Sequence, residues 1–319
     1  MEENAKPVVL RLVKPPEGIA ETMATLACPT PREIDEHLEA LGVRGQAEAR
    51  AAVSTLAFRH TRRLHQEFVH SVPRSSLPGR SALLLTGPAG CGKTLLVELL
   101  CREVLEIPAV VVDVPSLAAC ATVDHVIGKV LSQLLDAAGG NKARASMGVV
   151  CLDGLEKVAC PVSEEAAAKA SPDWVLRNWR VQRALHTLLT ADSVRFHHES
   201  GHDRGSESVW FPFLRNTFIA CGDIEGKKAA FLPELLGAFQ RKVELAPLGR
   251  TEFEAILGDL IQRLRREIEP AFTVAPSREE LDGIVRAALE GGEGARTLRA
   301  EVEYLVESVV HPQEEGGNR

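Results

Sequence analysis

The stretch "LLLTGPAGCGKTLLVELL", Leu83 to Leu100, decides the fold. An apolar run stops at Gly87, four residues intervene, and Gly92-Lys93-Thr94 opens a second apolar segment with helical spacing. The spacing G-x-x-x-x-G-K-T between a predicted strand and a predicted helix is the signature of a phosphate-binding loop. Gly87, Gly90 and Gly92 let backbone N–H groups approach an anion, and the helix N-terminus adds positive potential. Pro88, Ala89 and Cys91 complete the loop, and Leu95 follows in the same nucleotide-contacting stretch. Lys93 is placed to reach the β- and γ-phosphates and the Thr94 hydroxyl to bind magnesium, so ATP and magnesium are the expected ligands.

Outward from this loop, "SALLLTG", "PAVVVDV", "MGVVCLD" and "NTFIACGD" read as strands. Predicted helices over Lys93–Val104, Val123–Ala138 and Val181–Ala191 separate them. That alternation implies an α/β fold, a parallel sheet with helices on both faces. Asp153 ends the third strand, where parallel-sheet sites lie, and is expected to hold the magnesium directly or through water. From Thr251 the pattern is all-helical, predicting a small helical lid domain over 248–319 after an α/β domain over 29–247 and an extension over 1–28. "TPREIDEHLEAL" reads as a capped helix, with Thr30 at the cap, Pro31 at the first helical position and Glu33 at the third. The stretch "RHTRRLHQ" inside the next helix reads as a solvated basic face, and "ESGHDRGSES" as a polar loop. Trp174, Trp179 and Trp210 beside the loops read as packing anchors.

Composition narrows the function. The 319 residues carry a net charge of -7, which gives no general attraction to nucleic acid or an anionic membrane. No apolar run approaches the roughly 18 residues a membrane span needs. The N-terminus lacks the apolar core of a secretory signal, so a cytoplasmic protein is expected. Seven cysteines without a C-x-x-C pair read as small core residues in a reducing compartment. His197, His198 and His202 lack ligand spacing and read as solvated side chains.

With the phosphate loop and Asp153 placed, the chain resembles the AAA+ ATPases of the Clp unfoldase type, ClpX and HslU. "CPTPREIDEHLEALGVRGQ" resembles the start of that module, whose Val-Ile-Gly-Gln segment packs on adenine; Val43, Gly45 and Gln46 are kept and Arg44 replaces the isoleucine. "VVCLDGLEKVA" resembles the magnesium strand, "FLPELLGAFQRKVEL" the P-E-(two apolar)-G-R segment, and "GARTLRAEVE" the sensor-2 helix. The resemblance runs from about residue 28 to 312. It implies ATP in a groove between an α/β domain and a helical lid, with Val43 and Arg44 at the base and Arg296 at the γ-phosphate. It also implies a ring, usually of six, in which a neighbour supplies an arginine.

The departures are specific. Gly154 stands where the family places its water-polarising glutamate, and glycine offers nothing to orient a nucleophile. Glu156 is the candidate substitute, about 7 Å further along an extended backbone. The neighbour-directed arginine falls at Ala238, with Arg241 the candidate substitute. Thr122 stands where the substrate-gripping loop carries an aromatic. "DIEGKKAA" leaves no room for a loop that docks on a ClpP-type protease, and no zinc-binding N-terminal module is expected. Cys221 and Asp223 are the candidates for sensor 1, the polar residue after the fourth strand. The reading that follows is an ATP- and magnesium-binding regulator or scaffold with weak hydrolysis. It has a protein partner or substrate and forms a homo- or hetero-oligomer that ATP strengthens. The alternative is a protein-remodelling ATPase that uses Glu156 and Arg241, or a partner subunit.

Overall fold

The computed structural model describes residues 23–161, 163, 165, 169–199, 206–227, 230–268 and 271–310. Five strands form one parallel sheet: β1 (Ala82–Thr86), β2 (Ala109–Asp113), β3 (Val149–Asp153), β6 (Thr217–Gly222) and β7 (Arg241–Glu244), in the order β2-β3-β6-β1-β7. Side chains alternate across the sheet. Leu84, Val150, Leu152, Phe218 and Ala220 enter one core; Leu83, Leu85, Val149, Cys151, Ile219 and Cys221 enter the other. Burial on both faces explains why β1, β3 and β6 read as apolar runs.

The first core is covered by α4 (Val123–Ala137) and α6 (Pro172–Thr190), and the second by α1 (Pro31–Ala40), α2 (Ala47–Phe68) and α3 (Lys93–Leu99). A single turn, α5 (Lys142–Ala145), precedes β3. The predicted cap of α1 forms in full: Thr30 Oγ1 accepts from Glu33 N, and the Glu33 carboxylate accepts from Thr30 N. The helix begun by α3 loosens into a π-turn over Leu100–Val104, so it is not the regular helix the sequence predicted.

Three further features differ from the sequence reading. The two ends of the polar stretch, Glu199 and Ser206–Ser208, lie on an antiparallel hairpin, β4 (Ser193–Glu199) and β5 (Ser206–Pro212), and 200–205 lie outside the described residues. Phe196 and Phe211 lie at its root, and a row through Phe213 to Phe218 packs it onto the sheet. His197 and His198 fall on β4, while His202 lies outside the described residues. The basic stripe of α2 is partly interior: His60 is fully buried and Arg63 is 9% exposed. Trp174 and Trp210 are exposed and Trp179 half-buried.

After the short helix α7 (Pro233–Gly237), β7 leads into three helices, α8 (Arg250–Ile268), α9 (Arg278–Glu290) and α10 (Ala295–Val310). They share a separate core that includes Phe253, Leu257, Ile261, Val285 and Leu298. An unforeseen capping box, Ser277 with Glu280, starts α9.

Candidate nucleotide site

The loop Gly87–Thr94 leaves the C-terminal end of β1, an interior strand between β6 and β7. Its geometry requires glycine at two positions. Gly87 has φ 138°, and an added Cβ would stand 2.4 Å from the Leu245 carbonyl oxygen; Gly90 has φ 70°, and its Cβ would stand 1.9 Å from the Glu293 carbonyl oxygen. Lys93 Nζ turns back into the loop and donates to the Gly87 and Pro88 carbonyls at 2.7 and 2.6 Å. The Thr94 hydroxyl donates toward Asp153, at 3.0 Å from each carboxylate oxygen. A hydroxyl and a carboxylate together are the hard oxygen donors that suit magnesium. Behind the loop lie Cys151 and Cys221, whose thiols are pushed up well above the ordinary range, chiefly by burial. They stay neutral and behave as core, as the sequence reading expected.

The helical region closes over this loop. Ala295 N donates to the Gly90 carbonyl at 3.2 Å, so the start of α10 rests on the phosphate loop. Arg296, the next residue, is exposed and has no ion pair among the described residues. Val43 is buried, and Arg44 reaches across to α8, with 2.6 and 2.8 Å contacts to Asp259. Gln46, which caps α2 at φ 54°, donates to the Ala246 carbonyl at 2.7 Å and to Cys91 O at 3.3 Å. Val43, Arg44, Leu95, Leu248, Ile256 and Ala295 line a mostly apolar recess of about 30 Å³ between the sheet and the helical region. That is room for a single water, so the recess must widen to hold anything larger.

After Asp153 the chain turns sharply. Gly154 has φ 77°, the left-handed region that favours glycine, and Leu155–Val158 form a 3-10 turn. The turn carries Glu156 to the end of β6, where its carboxylate accepts from Asp223 N at 3.3 Å and is only 21% exposed. Glu156 is thus a braced group, not a freely solvated one. Arg241 is the first residue of β7, in register with Leu83 at the opposite end of β1 from Gly87. Ala238 caps α7. Thr122 has a structural task as the N-cap of α4, its hydroxyl accepting from His125 N at 3.2 Å. No group of three or more metal-ligating His, Cys, Asp or Glu side chains occurs among the described residues, and no helix there is long and apolar enough to cross a membrane.

A central strand that feeds a glycine loop and a Lys-Thr helix, beneath a three-helix cap, is the architecture of a P-loop ATPase. The family "ATPase family associated with various cellular activities (AAA)" matches residues 83–175. The ATP-dependent Clp protease ATP-binding subunit ClpX of Borrelia duttonii is 30% identical over 336 aligned positions, covering 91% of this chain and 76% of that protein. ClpX 3 of Methylococcus capsulatus is 25% identical, with 87% and 75% covered, and ClpX of Treponema denticola 22%, with 88% and 76% covered. The chain belongs to the ClpX family of AAA+ ATPases.

Proposed function

We propose that this protein binds ATP with magnesium between the sheet and the helical region, hydrolyses it slowly, and uses occupancy to regulate or scaffold a protein partner. The segment over 248–319, which carries α8, α9 and α10, acts as a lid. In this reading the backbone of Gly87–Gly92 cradles the phosphates, Lys93 swings from its carbonyl contacts to meet their charge, and Thr94 with Asp153 holds the magnesium. Val43 and Leu95 flank the base, Arg44 borders it, and Arg296 faces the γ-phosphate from the lid. Bound magnesium would spread the charge of the phosphates.

The observation that carries slow turnover is the left-handed turn at Gly154. It removes a side chain at the position after Asp153 and directs the Glu156 carboxylate to Asp223 N. Loss of a positioned base typically costs 10²–10⁴-fold in rate. Ala238 offers no guanidinium to a neighbouring site, and Arg241 lies at the far end of its strand. Occupancy alone can still bias a lid or an assembly.

Relatives named as subunits of the Clp protease support the expectation of a protein partner and of self-association. The eight residues of "DIEGKKAA" argue against docking on a ClpP-type protease. Lys93→Ala tests the binding half of the proposal: calorimetry should show ATP affinity lost, and unchanged affinity refutes the loop's role. Light scattering tests assembly: saturating MgATP should raise the mass, and an unaltered monomer counts against it.

A further inference from the structure

At the end of the sheet opposite the phosphate loop lies a second, larger cleft of about 400 Å³. It is framed by α2, the segment before β1 and the start of β7. Three of its lining residues are arginines, Arg59, Arg80 and Arg241, and none is acidic. Arg59 and Arg241 are exposed and have no carboxylate partner among the described residues. Arg80 is fixed: its guanidinium donates to the Ala191 carbonyl at 2.7 Å and stands 6.0 Å from the centre of the Phe218 ring. The floor is apolar, formed by Ala52, Leu56 and Leu83.

In a chain of net charge -7 this is a local excess of positive charge. Arg63, bonded to the Gly79 carbonyl at the lip of the cleft, is pushed down to about 10, first by burial and then by the charges of Arg74 and Arg59, with Glu67 opposing. Arg80 is also lowered by burial, which the carboxylate of Asp192 opposes.

We propose that this cleft binds a small organic phosphate. Arg59 from α2 and Arg241 from β7 take the phosphate oxygens, and the apolar floor takes the organic part. A guanidinium presents a planar pair of donors that matches phosphate oxygens bidentately, and two unpaired ones facing one space can hold a dianion. The volume falls within the range of about 300–1,000 Å³ common to small-molecule sites. Gln240 stiffens the wall by accepting from Ala82 N at 2.6 Å. The site is independent of the nucleotide reading, because it lies beyond the other end of β1.

The test is calorimetric titration of phenyl phosphate into the full chain carrying Lys93→Ala, which removes the phosphate-loop cation. Saturable one-to-one binding is expected, weakened about tenfold or more when Arg59→Gln and Arg241→Gln are added. Each single change should weaken it by a smaller factor. Both positions are exposed, so the melting temperature should stay within about a degree or two of the parent, consistent with small surface effects. Absence of saturable binding overturns the proposal, as does binding that the arginine changes leave unaltered. Saturable binding of a hexaglutamate peptide without binding of phenyl phosphate overturns it as well, and marks an acidic-peptide site.

Discussion

Replacing Gly154 with alanine or with the family's glutamate separates two explanations of the missing side chain. If the position were simply vacant on an extended strand, glutamate would fit and restore hydrolysis. The structure argues otherwise, because Gly154 sits at φ 77°. An L-residue held there costs roughly 1–2 kcal/mol. An added Cβ would also stand 3.2 Å from Pro115 Cδ, inside the usual carbon–carbon contact distance. For a chain of this size each kcal/mol lowers the melting temperature by about 2–4 °C, so a fall of roughly 2–8 °C is expected for Gly154→Ala and Gly154→Glu alike. The assay pairs thermal unfolding with steady-state phosphate release. Gly154→Glu should gain little turnover, because a side chain leaving a left-handed residue does not take the direction it has on a strand. An unchanged melting temperature, or a gain of 10²-fold or more in phosphate release, refutes the reasoning.

Other changes probe the surroundings of the site. Gly90→Ala adds a Cβ 1.9 Å from the Glu293 carbonyl oxygen, so it should break the Ala295–Gly90 bond. Amide exchange at the start of α10 should accelerate while the sheet amides hold, and equal protection would contradict the contact. Arg44→Ala and Asp259→Ala should show a coupling of about 1 kcal/mol or less in a double-mutant cycle of denaturation, since both side chains are over a quarter exposed. His60 is fully buried between Thr217 Oγ1 and the Met147 carbonyl, and burial, then the Arg63 charge, lowers it to about 3. Its folded value lies below the unfolded 6.5, so its stabilising effect is complete above that pH and lost as pH falls toward 3. Between pH 7 and pH 4 this group should remove about 3 kcal/mol, and His60→Asn should flatten that part of the profile measured by denaturant unfolding.

β1, β3 and β6 were legible in the sequence because they are buried on both faces and carry little else. β1 is apolar up to Thr86, just before the loop glycine, and β3 runs apolar to Asp153. β7 was not legible: "RKVE" buries only Val243 and pairs with β1 alone. Arg241 was therefore read only as a substitute for the neighbour-directed arginine, not as the first residue of a strand. The hairpin left a faint trace in the alternation of Val194 with Phe196 across Arg195, which the polar run from His197 onward masked. In the candidate site, loop spacing identified Gly87 to Thr94, and strand position identified Asp153. Contacts between distant segments had no local signal. Arg44 meets Asp259 across 215 residues, and the Gly90 carbonyl meets α10. The turn that sends Glu156 to the end of β6 depends on a backbone angle at Gly154 that composition alone does not specify.

The central claim is that an intact nucleotide cradle has lost its means of rapid hydrolysis. A single-turnover experiment tests it most directly: excess protein is mixed with limiting radiolabelled MgATP, and bound nucleotide and released phosphate are followed together. The account predicts that nucleotide is retained as ATP for many minutes, and that the Lys93→Ala protein retains none. Phosphate release at ordinary enzyme rates, about 1–10 per second, that Glu156→Gln abolishes would contradict it.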